Sequence, residues 1–194
     1  MTTLSEDAVR AASLIDGWMN LAELRELADL AATRRTIVEV GSWKGRSTKA
    51  LALSTPGYVY AVDTWAGSPD ELGDAHKEAA TLGPDGLYRV FCDNLAPEIA
   101  LDKVRPIRRS SLDAAMMWCD PPDLIFLDGD HAYESVKVDL EAWTAVAAPG
   151  ALLVGHDYSW PGVSRAVHER YEWVTRLAGD LWSVSFEPIE PRKG

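Results

Sequence analysis

The chain has 194 residues, 47% of them hydrophobic and 25% charged, the make-up of one globular domain large enough to bury a core unaided. Its 19 basic against 30 acidic residues leave a net charge of −11, which argues against a protein held on nucleic acid or an anionic membrane by clustered Lys and Arg. Cys92 and Cys119 form no CxxC pair, residues 1–10 carry no signal-peptide pattern, and no apolar stretch reaches the roughly 18 residues of a membrane span, so reduced thiols and a cytoplasmic protein are expected.

The chain opens on two predicted helices. Ser5-Glu6-Asp7 reads as a capped start, followed by Val9, Ala12 and Ile15 at helical spacing, with Gly17 ending the run. Asn20 caps a second helix whose apolar face is Leu21, Leu24, Leu27, Ala28 and Ala31, with Arg34-Arg35 in its last turn. From residue 36 the pattern changes. Short apolar runs at 36–40, 58–62, 124–127 and 151–154 read as strands, with a further strand at 104–108. Helices are predicted at 49–53, 87–99, 112–118, 133–147 and 163–171. Two last strands, 173–177 and 181–186, flank the turn Ala178-Gly179-Asp180.

Continuous apolar strands alternating with helices predict an α/β fold, a mostly parallel sheet with helices on both faces and a hairpin at one edge. The whole of 1–194 is expected to be one domain: leading helices 1–35, a core 36–187 with an insertion at 66–86, and a tail 188–194. The insertion exceeds an ordinary βα loop of about 2–6 residues and reads as a lid or a small helical insertion over the cleft. Of the eight tryptophans, Trp118, Trp143 and Trp182 fit helix faces or the last strand, and Trp18 fits packing of the first helices.

The clearest strands end in Gly41-Ser42, Asp63, Asp128-Gly129-Asp130-His131 and His156-Asp157. In an open parallel sheet that carboxyl edge is where ligands bind. Gly41 lets the backbone turn sharply, and its missing side chain lets a cofactor approach. Trp43 replaces the middle glycine of a GxGxG turn, so a pyrophosphate fits poorly, and the segment is no GxxxxGK[ST] phosphate loop. Asp63, 22 residues beyond Gly41, is spaced to accept hydrogen bonds from both hydroxyls of a ribose; otherwise it is a turn or cap residue. An NAD-dependent oxidoreductase is a competing reading, but GxGxxG is absent. A cofactor-binding module without transfer activity is another.

Four ordered motifs carry a resemblance: Ile37-Val38-Glu39-Val40-Gly41-Ser42-Trp43-Lys44-Gly45-Arg46-Ser47-Thr48, Val62-Asp63-Thr64-Trp65, Ile125-Phe126-Leu127-Asp128-Gly129-Asp130-His131-Ala132-Tyr133, and Gly155-His156-Asp157-Tyr158. Over residues 15–170 the chain resembles class I S-adenosylmethionine-dependent methyltransferases, above all methyltransferase family 24, which holds small-molecule O-methyltransferases similar to those of macrolide and cephalosporin pathways. The resemblance implies a Rossmann-like seven-stranded sheet of order 3-2-1-4-5-7-6 with strand 7 antiparallel. It implies methyl transfer from S-adenosyl-L-methionine to a small acceptor, most simply at a hydroxyl. Gly41, Ser42, Trp43, Gly45 and Ser47 would wrap the methionine part, Glu39 matches the family's acid before the turn, and Asp63 would bind the ribose. Trp65 would lie against the adenine, with Ser110 and Ser111 at its edge and Asp128 nearby. His131 and His156 are the candidate general bases. In related metal-dependent enzymes an acid stands at the Asp128 position and oxygen ligands at those of His156 and Asp157, so a divalent cation such as Mg²⁺ is a further expectation, at odds with an imidazole at 156. Asp130, Tyr133, Tyr158 and Trp160 would wall the acceptor pocket, and the insertion would set acceptor specificity. No nucleic acid or membrane partner is expected, and the N-terminal helices of this fold can pair two copies into a homodimer.

Overall fold

The computed structural model describes residues 4–67 and 74–185. Its strands are β1 (Thr36–Val40), β2 (Tyr58–Asp63), β3 (Val104–Arg108), β4 (Leu124–Leu127), β5 (Leu152–Gly155), β6 (Thr175–Arg176) and β7 (Trp182–Ser185). They form a seven-stranded sheet in the order β3-β2-β1-β4-β5-β7-β6. β1 to β5 are parallel, whereas β7 pairs antiparallel with both β5 and β6. This is the Rossmann-like order that the motifs imply. Among the described residues, no helix is long and apolar enough to cross a membrane.

The apolar runs are continuous because both sheet faces are covered, and successive side chains point to opposite faces. Ile37, Val59, Ala61, Leu124, Phe126 and Val154 face one core with α1 (Leu4–Ser13), α2 (Leu21–Ala31) and α3 (Arg46–Ser54). Val38, Val40, Val62, Ile125, Leu127 and Leu153 face the other, with α7 (Ser111–Met116), α8 (Tyr133–Val146) and α9 (Pro161–Arg170). Asp123 sets the β1–β4 register from below. Its carboxylate accepts from Arg35 N at 2.9 Å and from Thr36 N at 3.0 Å, while Arg34 Nη1 donates to its carbonyl at 3.1 Å.

Several boundaries differ from the sequence reading, each for a physical reason. Ser5 lies inside α1, which already includes Leu4. α2 stops at Ala31, so Arg34 and Arg35 lie beyond it and serve Asp123 instead. The helix expected over 87–99 is two, α5 (Gly86–Asn94) and α6 (Ala96–Ala100). Pro97 has no N–H to donate into a continuing helix, and its ring favours a fresh first turn. β6 is shorter than expected because only Thr175 and Arg176 pair with β7 at the sheet edge. Part of the insertion is α4 (Asp74–Leu82); residues 68–73 and the tail 188–194 lie outside the described residues.

Gly155 closes β5 against the buried Trp182 indole, and a Cβ there would lie 2.1 Å from Trp182 Cζ2. Gly155→Ala must displace a fully packed ring. Urea unfolding is expected to give a loss of about 1–3 kcal/mol, and an unchanged midpoint would refute this packing.

Candidate functional site

The carboxyl ends of β1, β2, β4 and β5 open into one cavity of about 1140 Å³. Three bulky or acidic residues at this edge have left-handed backbone: Trp43 at φ 48°, Trp65 at 52° and Asp157 at 54°. Non-glycine residues rarely adopt it, and such strain concentrates at functional sites.

The turn after β1 is held from two sides. From below, the fully buried Glu39 takes the Ser42 hydroxyl on Oε2 at 2.7 Å and the Thr48 hydroxyl on the same oxygen. Its other oxygen, Oε1, has no hydrogen-bond partner among the described residues. Burial pushes the Glu39 carboxyl up to about 7, against the pull of the neighbouring hydroxyls. From the side, Asp63 Oδ2 accepts the backbone N–H groups of Ser42 and Trp43, each at 2.9 Å, and Oδ1 accepts that of Trp65 at 2.7 Å. Burial raises the Asp63 carboxyl despite these bonds. An ionised carboxylate has about four acceptor positions, so Asp63 can hold the turn with three and keep about one for a hydroxyl donor from a ligand.

Gly41 is required here for a different reason from the one expected. At φ +86° its missing Cβ would sit 2.1 Å from the Asp128 carbonyl oxygen, so glycine permits the close approach of the β4 end rather than of a ligand. Gly45 starts α3 behind the lining, whereas Ser42, Trp43 and Ser47 face the cavity with Asp63 and Gly67. Ser110 and Ser111 line its far end. There Ser110 caps α7 by accepting from Asp113 N at 3.2 Å, and Ser111 takes the Trp143 indole N–H at 2.8 Å. Beneath them burial lifts Asp139 to about 6.

At the other end Asp128, Asp130, His131, His156, Asp157 and Trp160 share the lining. His131 Nε2 lies 2.7 Å from Asp157 Oδ2, and its ring is 4.8 Å from that of Trp160. His156 Nδ1 bridges Asp128 Oδ1 at 3.4 Å and Asp157 Oδ2 at 3.2 Å, and its Nε2 meets Glu23 Oε1 at 3.2 Å. Burial works against a charged His156, but Asp128 and Asp157 outweigh it and push the ring up to about 11. In the same way the two histidines hold Asp157 well below the usual carboxylate range despite its burial. Asp130 is engaged by Ala132 N at 3.1 Å and Ser135 Oγ at 2.6 Å.

Residues 38–158 match methyltransferase family 24, described as a methyltransferase domain. The chain belongs to this family. It is 32% identical over 131 residues to protein y4gI of Sinorhizobium fredii, a match that covers 63% of this chain and 13% of y4gI, so the chain spans a small part of the length of the curated relative it matches. Cofactor-bound Rv0187 from MTB is similar in structure, with a TM-score of 0.66 at 19% identity over 94% of this chain and 88% of that one. An O-methyltransferase from Bacillus cereus in complex with SAH gives 0.63 at 16% identity, over 95% and 91%. TomG from Streptomyces achromogenes, an O-methyltransferase of tomaymycin synthesis in complex with SAM, gives 0.63 at 16%, over 97% and 91%. These likenesses concern the fold.

Against the family pattern, four expectations are corrected. Trp65 does not face the cavity. It is 3% exposed, donates its indole N–H to the Trp43 carbonyl at 2.8 Å and packs 4.8 Å from both Tyr88 and Phe91. Tyr133 and Tyr158 also stand outside the lining: the first bonds Glu169 under the Arg165 guanidinium, and the second bonds His168 under that of Arg176. His156, an imidazolium up to about pH 11, carries no lone pair for taking a proton or ligating a metal at neutral pH. The described part of the insertion is no roof, since only Gly67 of it lines the cavity and Glu78 of α4 points to Lys44 instead, at 2.6 Å.

Asp128, His131 and Asp157 do bring possible ligand atoms within 4.8 Å of one another. A divalent ion there would meet the His156 cation that already bridges both carboxylates. Mg²⁺ prefers oxygen ligands and keeps waters, so of these three residues Asp128 and Asp157 suit it and the His131 imidazole does not.

Sequence reasoning missed the opposite wall, Asp16, Gly17, Trp18 and Met19 between α1 and α2, with Arg46 beneath. It also missed Glu23, which completes the Asn20 capping box, accepts Asp180 N at 2.9 Å and touches His156. A capping box was visible at Asn20 and Glu23; its reach to residues 156 and 180 was not.

His156 titrates at about 11 in the folded chain against about 6.5 when unfolded. Its raised value makes its contribution to stability complete below about pH 6.5 and lost as the pH rises through about 11. The difference in thermal midpoint between the wild type and His156→Gln should therefore be largest near pH 6 and shrink toward pH 11. A difference constant over that range would refute the buried imidazolium.

Proposed function

We propose that this chain binds S-adenosyl-L-methionine and methylates a hydroxyl group of a small molecule. The observation that carries this reading is the meeting, in one cavity of a methyltransferase-family chain, of the Glu39–Ser42–Asp63 turn with the His131–Asp157 pair. Bound S-adenosyl-L-methionine would supply an electrophilic methyl group on a positively charged sulfur. Asp63 takes a ribose hydroxyl, Ser42, Trp43 and Ser47 face the methionine part, and Ser110 and Ser111 edge the adenine. Glu39 is fully buried behind the lining and serves the site through the Ser42 and Thr48 hydroxyls that it holds. The carboxylates of the cavity suit its positive charge.

His131 takes the proton of the acceptor hydroxyl, which makes the oxygen nucleophilic as it attacks. Asp157 steadies the charge that the His131 ring gains. His156 acts as a fixed cation that keeps Asp157 ionised and holds Asp128 in place, and no step runs through a metal. SAH-bound and SAM-bound O-methyltransferases of the same fold add support for oxygen as the acceptor atom.

Calorimetry should give SAH binding that Asp63→Ala weakens about tenfold or more, the cost of hydrogen bonds to a charged group. Unchanged affinity would remove Asp63 from the site. With an acceptor in hand, His131→Ala should lower kcat by about a hundredfold or more while SAH affinity holds. The wild-type rate should survive EDTA; loss of activity restored by Mg²⁺ would overturn the metal-free reading.

A further inference from the structure

We propose that the acceptor is a flat aromatic molecule, its ring held between the indoles of Trp18 and Trp160 with its hydroxyl toward His131. This deepens the methyltransferase reading and rests on it for the role of His131. Both indoles line the cavity, yet Trp18 is 67% and Trp160 48% exposed. Among the described residues each has one close ring neighbour: Trp43 at 5.4 Å for Trp18, and His131 at 4.8 Å for Trp160. About two thirds of Trp18 and half of Trp160 remain exposed. A large indole left in water is a standing cost that a stacked ring would remove.

Of the acids at this end, Asp16 is engaged by Lys44 at 2.6 Å, Asp130 by Ala132 and Ser135, and Asp157 by His131 and His156. The two indoles are the large apolar surface beside them.

The Trp18 wall is also built before any ligand arrives. Arg46, the first residue of α3, donates to the carbonyls of Ser13 at 3.1 Å, Ile15 at 2.6 Å and Met19 at 2.9 Å. These bonds fix the loop on both sides of Trp18, so little conformational freedom remains to be lost when a ring stacks on it.

The test uses naphthol and decahydronaphthol, which share a carbon skeleton but differ in planarity. Each is titrated calorimetrically into the full-length protein with and without saturating SAH. The expected result is that naphthol binds about tenfold tighter or more. Trp18→Ala and Trp160→Ala should each remove most of that preference, Trp18→Phe and Trp160→Phe should restore part of it, and SAH affinity should stay within about threefold. Equal binding of the two alcohols, or a naphthol preference indifferent to both indoles, overturns the proposal. If SAH does not bind at all, the methyltransferase reading falls. The naphthol titration without SAH still decides for or against the indole clamp.

Discussion

One buried ring holds the reactive end of this molecule together. His156 follows β5, yet it touches Asp128 after β4, Asp157 beside it and Glu23 on α2. A lone carboxylate buried here would tend to take up a proton, and a lone imidazole would tend to lose one. Paired in this way, His156 and Asp157 stay charged, and the cluster ties α2 to the β4 and β5 ends that the sheet already joins. Such a cluster is costly to break at one member, because the remaining charges are left buried and unpaired. Asp157 can face His131 as a carboxylate because His156 stands on its other side.

The cofactor end follows the same logic with neutral donors. Asp63 is the residue that the sequence marks most clearly for a ligand, yet in the folded chain its oxygens first gather three backbone N–H groups. Those bonds draw Trp43 and Trp65 into left-handed backbone and bring the two strand ends together. The residue proposed to bind the ribose is therefore also the residue that shapes the loop around it.

Much of the fold was legible because its signals are local. The runs at β1, β2, β4 and β5 are apolar on both faces, and a glycine or an acid ends each, so strand, direction and ligand edge could be read together. The sheet order was legible only through the ordered motifs. What escaped was whatever depends on contacts distant in the chain. Trp65 sits beside Asp63 in sequence, but its ring is claimed by Tyr88 and Phe91 of the following helix. Trp18 resembles helix packing by spacing, but Arg46 holds its loop at the cavity mouth. His131 and His156 look alike as bases in sequence. Burial of His156 against Asp128, Asp157 and Glu23 sets it apart, and that is a property of the folded chain.

Lys44 stands inside the turn between Trp43 and Gly45, and its ammonium is held at 2.6 Å by Asp16 of the Trp18 loop and at 2.6 Å by Glu78 of α4. The wall of one subsite and the floor of the other are thus parts of a single mechanical unit. Because Arg46 already holds that wall through the carbonyls of Ser13, Ile15 and Met19, both subsites stand formed before either occupant arrives, and neither occupant has to order the surface for the other.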